Sequence, residues 1–194
     1  MIEMTQKQKK LMDELKKVNA ETFYHSLHVK TLTSKLLNLT NEDGFTNYTP
    51  QEIDTICKGA LLHDLGKIYI KNAVLTKDSP LTDEEKEHMT QHAQLSYDAI
   101  KAELGEDEAE IIKNICLYHH ERIDGSGYMG ITQLPIYLQI VSVCDVFDAL
   151  HSDRIYRQGL SYNKTMQTIE SGGSGKFDET IIDYLKKATK ALDE

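Results

Sequence analysis

Apolar residues recur along this chain at intervals of three and four, the spacing that gathers side chains on one face of an α-helix. Leu11, Leu15 and Val18 open the pattern, and Phe23, Leu27, Leu32 and Leu36 continue it to a polar stretch from Asn41 to Asn47. One long helix, or two joined, is predicted to end near Leu39. Thr49-Pro50-Gln51-Glu52 then combines a capping hydroxyl, a proline at the first helical position and a carboxylate three residues past the cap, a capping box that starts a new helix. Its stripe is Ile53, Ile56, Cys57, Ala60 and Leu61. Extended by three or four residues, the same period lands on His63 and Asp64, which should therefore point inward before Gly66 ends the helix.

Ile68 to Leu75 reads as a connection, and Thr82 caps another helix whose first turn, Asp83, Glu84 and Glu85, complements the positive end of the helix dipole. That helix carries His88 and His92. From Asp107 the stripe Ala109, Ile112 and Cys116 again runs inward and reaches His119 and His120. Asp124-Gly125-Ser126-Gly127 is a loop, since two glycines so close together defeat helix propagation. An almost unbroken apolar run from Pro135 to Leu150, interrupted by Ser142, Asp145 and Asp148, predicts the most buried helix. Segments at about Tyr162 to Ile169 and Asp178 to Leu192 read as two more, separated by the glycine-rich Ser171 to Gly175. The expectation is an all-α fold, a compact bundle of about seven to eight helices with a metal site between them.

Composition narrows this further. With 194 residues and 40% hydrophobic content, the chain is expected to form a single domain over 1–194. A net charge of −9 argues against a DNA or RNA polymer as partner, because phosphate backbones are captured by clustered Lys and Arg. No apolar run approaches the roughly 18 residues of a membrane span, and Gln6, Lys7, Lys9 and Lys10 stand where a signal peptide would have its apolar segment, so a cytoplasmic protein without membrane contact is expected. Cys57, Cys116 and Cys144 are odd in number, far apart and within apolar patterns, which reads as buried thiols.

The chemistry concentrates in inward-facing polar residues. A single histidine at the end of an apolar stripe is usually a hydrogen-bonded core residue, but His25, His63, His92, His119 and His120 all fall on inward faces or helix ends. Glu21, Asp64 and Asp145 are the inward carboxylates, and a buried carboxylate needs a partner cation. Few Lys or Arg lie nearby in sequence. Imidazoles with carboxylates and no thiolate suit Fe, Mn or Zn in open sites. Glu21 and His25 share one helical face four residues apart, whereas neighbours such as His63 and Asp64, or His119 and His120, diverge by about 100° and can serve two adjacent ions. His88, in a run of charged residues, reads as solvent-exposed, and His28 and His151 as structural. Glu121 and Arg122 read equally as a local ion pair or as substrate contacts.

Two blocks carry a resemblance: His63-Asp64-Leu65-Gly66-Lys67, and His119-His120-Glu121-Arg122-Ile123-Asp124-Gly125-Ser126-Gly127-Tyr128. With Asp145 to Leu150, Ser152 to Arg157 and Gly173 to Asp178 following in order, the chain resembles the HD-GYP subgroup of the HD phosphohydrolase superfamily. Coverage runs over a core of 21–185, with 1–20 as an N-terminal helical extension. The family is all-helical and bacterial, and its characterised members hydrolyse the signalling nucleotide cyclic di-GMP. By position, the resemblance implies that Glu21, His25, His63, Asp64, His92, His119, His120 and Asp145 ligate two or three divalent ions, usually iron with manganese as the other choice, Asp64 bridging. It further implies that Asp64 and Lys67 serve catalysis and that Lys67, Tyr128, Arg154 and Arg157 contact the substrate.

The activity so implied is hydrolysis to linear pGpG, and onward to GMP if a third metal helps. One departure stands out: the motif Gly-Tyr-Pro is here Gly127-Tyr128-Met129, and without the proline the Tyr128 loop is expected to be freer. That motivates an alternative substrate, cyclic GMP-AMP or a nucleotide phosphate ester. A non-catalytic dinucleotide-binding or protein-interaction module is the alternative of another class. Homodimerisation and a signalling partner protein are left open.

Overall fold

The computed structural model describes residues 3–77, 79–153 and 158–190. Among the described residues there are nine α-helices: α1 (Gln6–Val18), α2 (Ala20–Glu42), α3 (Pro50–Leu62), α4 (Asn72–Leu75), α5 (Asp83–Ile100), α6 (Glu106–Tyr118), α7 (Ile136–His151), α8 (Tyr162–Glu170) and α9 (Glu179–Thr189). Short 3-10 turns occupy Leu65–Tyr69 and Lys101–Glu103. The fold is all-helical, as the periodicity predicts.

The N-terminal pattern is two helices rather than one, and Asn19 is the break. Its backbone N–H closes α1 by donating to the Leu15 carbonyl, while its side chain accepts from the Thr22 N–H and caps α2. The capping box read at Thr49 is present; Thr82 caps its helix as expected and also completes a box with Glu85, and another joins Thr5 to Gln8. The seam α2 buries also differs from the Phe23–Leu27–Leu32 stripe, which is only half-buried. Thr22, His25, Ser26, Val29, Thr33, Leu36, Leu37 and Thr40 face inward instead.

Among the described residues, two apolar clusters form the interior. The larger gathers Val29, Leu36 and Leu37 of α2, Ile56, Cys57 and Ala60 of α3, Ile140, Val141 and Cys144 of α7, and residues of α8 and α9. The smaller packs Leu11, Met12 and Leu15 of α1 against Leu61 and Leu62 of α3, Leu65, Ile100, Ile112 and Cys116. Helix α3 contributes to both, so its C-terminal end emerges where the two clusters meet. There His63 and Asp64 sit.

Glycine permits the close approach on each side of that junction. A Cβ on Gly66 would lie 2.2 Å from the His92 carbonyl oxygen and 2.6 Å from the Ser96 nitrogen, so the turn after Asp64 rests directly on the α5 backbone. The Gly66 N–H donates to Ser96 Oγ at 2.8 Å. Among the described residues, no helix is long and apolar enough to cross a membrane.

Candidate metal centre

Five helices deliver the polar cluster: His25 from α2, His63 and Asp64 from the end of α3, His92 from α5, His119 and His120 from the end of α6, and Asp145 with Asp148 from α7. His25, His63, Asp64, His92, His119 and Asp145 are buried, and His120 is half-buried. Helix ends explain the histidine orientation, because their last carbonyls lack intrahelical partners. His63 Nδ1 donates to the Ala60 carbonyl at 2.8 Å, and His119 Nδ1 to those of Ile115 and Cys116 at 3.0 and 3.1 Å. His92, inside α5, donates likewise to the Met89 carbonyl at 2.6 Å.

A carbonyl only accepts, so in each of these rings Nδ1 carries the hydrogen and the neutral Nε2 presents a lone pair. Those lone pairs converge. His92 Nε2 lies 3.3 Å from His119 Nε2 and 3.2 Å from His120 Nε2. His63 Nε2 and Asp64 Oδ1 are buried without a hydrogen-bond partner. Acceptors facing each other in a buried space repel; a cation bonded at about 2.1 Å to each nitrogen removes the repulsion and accounts for the spacing.

Asp64 stands between two such groups. Its Oδ1 is 3.3 Å from His92 Nε2 and 4.0 Å from His119 Nε2, whereas its Oδ2 is 3.4 Å from His63 Nε2 and 3.8 Å from His25 Nε2. Among the described residues, three sets of donor atoms lie within 4.8 Å of one another: His92, His119 and His120; His25, His63 and Asp145; and His63, Asp64 and His119. The third links the first two. The donor set therefore fits divalent metal ions, and its extent fits more than one.

Electrostatics agree. Burial resists ionisation of Asp64, yet Lys67 and the surrounding imidazoles hold its carboxyl well below the usual range. Burial pushes His119 well down and His120 to about 3, so both rings are neutral donors. His25 behaves oppositely: burial would lower it, but bonds to Asp145 and Asp148 and nearby negative charge raise it to about 9. In the absence of a metal, a proton on His25 and the Lys67 ammonium, 2.6 Å from Asp64 Oδ2, supply the positive charge that the carboxylates require.

Asp148 is the residue the sequence did not single out. Its Oδ2 lies 2.6 Å from His25 Nδ1 and its Oδ1 3.1 Å from His28 Nδ1, while Ser152 Oγ donates to Oδ1 at 2.7 Å. The signal was present as a second carboxylate one turn beyond Asp145 in an apolar run. Glu21 is half-buried one turn before His25 and belongs to none of the three donor sets. Tyr128 is exposed, with its ring 4.5 Å from that of His120. Arg154 and Arg157 lie outside the described residues.

Other expectations need correction. His88 is half-buried rather than exposed, and its Nε2 is buried without a hydrogen-bond partner. Glu121 and Arg122 both turn to the backbone: Glu121 accepts from two loop amides, and Arg122 donates to the carbonyls of His119, Glu121 and Ser174 and covers the ring of Phe177.

The HD domain family profile matches residues 22–150, which takes in all five helices that deliver the polar cluster, α2, α3, α5, α6 and α7. This chain belongs to the HD domain family. It is 36% identical over 145 residues to a cyclic di-GMP phosphodiesterase of Vibrio cholerae, covering 71% of this chain and 30% of the relative. It is 30% identical over 138 residues to a 3′3′-cGAMP-specific phosphodiesterase of the same organism, covering 70% of this chain and 29% of that protein. The chain thus spans less than a third of the length of either relative. Among solved structures, an HDG"Y"P protein of Bdellovibrio bacteriovorus shares the fold with a TM-score of 0.66 at 21% identity, covering 86% of this chain and 51% of that one.

Proposed function

We propose that this chain is a metal-dependent phosphodiesterase that hydrolyses cyclic di-GMP to linear pGpG, and onward to GMP if a third metal ion is held. The observation that carries the reading is the pair of lone-pair nitrogens, His92 Nε2 and His119 Nε2, facing each other at 3.3 Å beside the unpartnered Asp64 Oδ1. The relatives named as cyclic dinucleotide phosphodiesterases support the substrate class.

In this reading Glu21, His25, His63, Asp64, His92, His119, His120 and Asp145 hold two or three divalent ions, with Asp64 between them. Nitrogen and oxygen donors without thiolate suit Fe, Mn or Zn, and the family resemblance favours iron with manganese as the second choice. Divalent ions bound there supply Lewis-acid stabilisation of the phosphate and acidify a bound water. Lys67, one helical turn from Asp64, neutralises charge that builds on the phosphate oxygens. Tyr128 offers an aromatic face beside His120 for a nucleobase, and Arg154 and Arg157 are proposed as phosphate contacts. The catalytic core is 21–185, with 1–20 as a helical extension, and the enzyme works in the cytoplasm.

A cyclic GMP-AMP substrate is the second reading, favoured by the 3′3′-cGAMP-specific relative and by Met129 at the loop position where a proline was expected. Protein loaded anaerobically with iron or manganese, incubated with each dinucleotide and analysed by chromatography, separates the two. Appearance of pGpG at the faster rate supports cyclic di-GMP, faster loss of cyclic GMP-AMP supports the second, and no turnover of either with any metal overturns both.

A further inference from the structure

The loop between α6 and α7 that presents Tyr128 is held from beneath by one buried carboxylate. Glu121 is 1% exposed, its Oε1 accepts from the Met129 N–H at 2.8 Å and its Oε2 from the Ile131 N–H at 2.8 Å. Gly127 passes directly over it: a Cβ there would fall 2.5 Å from Glu121 Cα and 2.7 Å from Oε2. Gly130, between the two donors, has φ of +71°, which turns the chain so that both amides face the same carboxylate. Charge-assisted bonds to a carboxylate sheltered from water are strong ones.

The arrangement uses the backbone N–H of Met129. A proline at that position would have no N–H to donate. In place of a ring that fixes φ, position 129 offers an N–H that donates to Glu121.

We propose that Glu121 is a positioning residue that, through the amides of Met129 and Ile131, sets Tyr128 against His120 at the mouth of the metal centre. Its effect on substrate rests on the phosphodiesterase reading, whereas the anchoring itself does not. Glutamine at 121 keeps one acceptor but turns an NH2 towards the other amide, so E121Q should loosen the loop. M129P deletes that amide, and E121Q/M129P again matches one acceptor to one donor.

The test combines amide hydrogen exchange at Ile131 with steady-state kinetics on cyclic di-GMP, using the metal-loaded full chain. In E121Q, exchange at Ile131 should quicken by about tenfold and KM should rise by about as much, with a smaller change in kcat. The double variant should recover most of both effects. Unchanged exchange in E121Q, or additive losses in the double variant, overturns the anchor, and a loosened loop with unchanged KM overturns the positioning role. If E121Q does not fold, E121D decides: it keeps the charge but draws the carboxylate back by one methylene from both amides, and faster Ile131 exchange supports the anchor while wild-type exchange contradicts it. If the wild type turns over no dinucleotide, the exchange arm still decides the anchor and the phosphodiesterase reading fails separately.

Discussion

His25 Nδ1 lies 2.6 Å from Asp148 Oδ2, so the ring that offers its Nε2 to the centre is oriented from behind by a carboxylate. A ligand held this way is fixed in tautomer and direction and made more basic. Asp148→Asn keeps the shape of the contact and removes its charge. It should weaken metal binding by about 10–100-fold with little change in the helical circular dichroism. Metal content after dialysis against graded metal buffers measures this, and wild-type affinity in the variant would show that Asp148 does not orient the site.

Gly66 and Gly59 offer a graded test of packing around the same junction. An added methyl at Gly66 meets backbone atoms of α5, which cannot yield locally, whereas at Gly59 the nearest atom is the Cδ1 end of Ile115 at 2.6 Å. Gly66→Ala should therefore cost about 2–3 kcal/mol, and Gly59→Ala less. For a chain of this size that is a fall in Tm of roughly 4–12 °C for Gly66→Ala. Equal losses for the two variants would contradict the packing described here.

The parts of this fold legible in the sequence are those fixed by neighbouring residues. Thr49 and Thr82 announce helix starts because a capping box is complete within four residues, and the stripes ending at His63 and His119 point inward by helical phase alone. Asn19 was not legible as a break, since an asparagine between two amphipathic stretches is compatible with a continuous helix until tertiary packing decides. The Thr- and Ser-lined seam of α2 was missed for a related reason: hydroxyls are polar in any sequence count but can pack when both neighbouring helices come close. Asp148 acquires its role from His25, 123 residues earlier, and no local pattern carries that contact. The bond from the Met129 N–H to Glu121 was not legible either, because the two residues are eight apart across a loop and meet only in the folded chain.

The three thiols should be unreactive in the folded protein. Burial raises Cys57 to about 11 and Cys116 to about 12, and pushes Cys144 higher still. The nucleophile is the thiolate, so at pH 7.5 a thiol reagent should label none of them within minutes and all three after denaturation in guanidinium. Rapid labelling of the native protein would show that the cores open far more readily than their packing implies.

Metal should stabilise the fold as well as equip it. Bound ions relieve the opposed acceptors of His92 and His119 and engage the unpartnered atoms of His63 and Asp64. At a free metal concentration about 100 times Kd, binding adds about 2.7 kcal/mol, worth roughly 5–10 °C in Tm. Thermal melts with iron or manganese, with a chelator and in Asp64→Asn check this. The shift should appear only in metal-loaded wild type, and identical melting in all three conditions would argue against a metal centre.

The most direct measurement is turnover of cyclic di-GMP by one preparation in three states: metal-loaded, stripped by chelator, and reloaded, with Asp64→Asn carried alongside. Metal-dependent phosphodiesterase chemistry at this cluster predicts pGpG formation that disappears on stripping, returns on reloading and is absent from the variant. Hydrolysis that survives both stripping and the loss of Asp64, or a reloaded wild type that cleaves no cyclic dinucleotide, would contradict it.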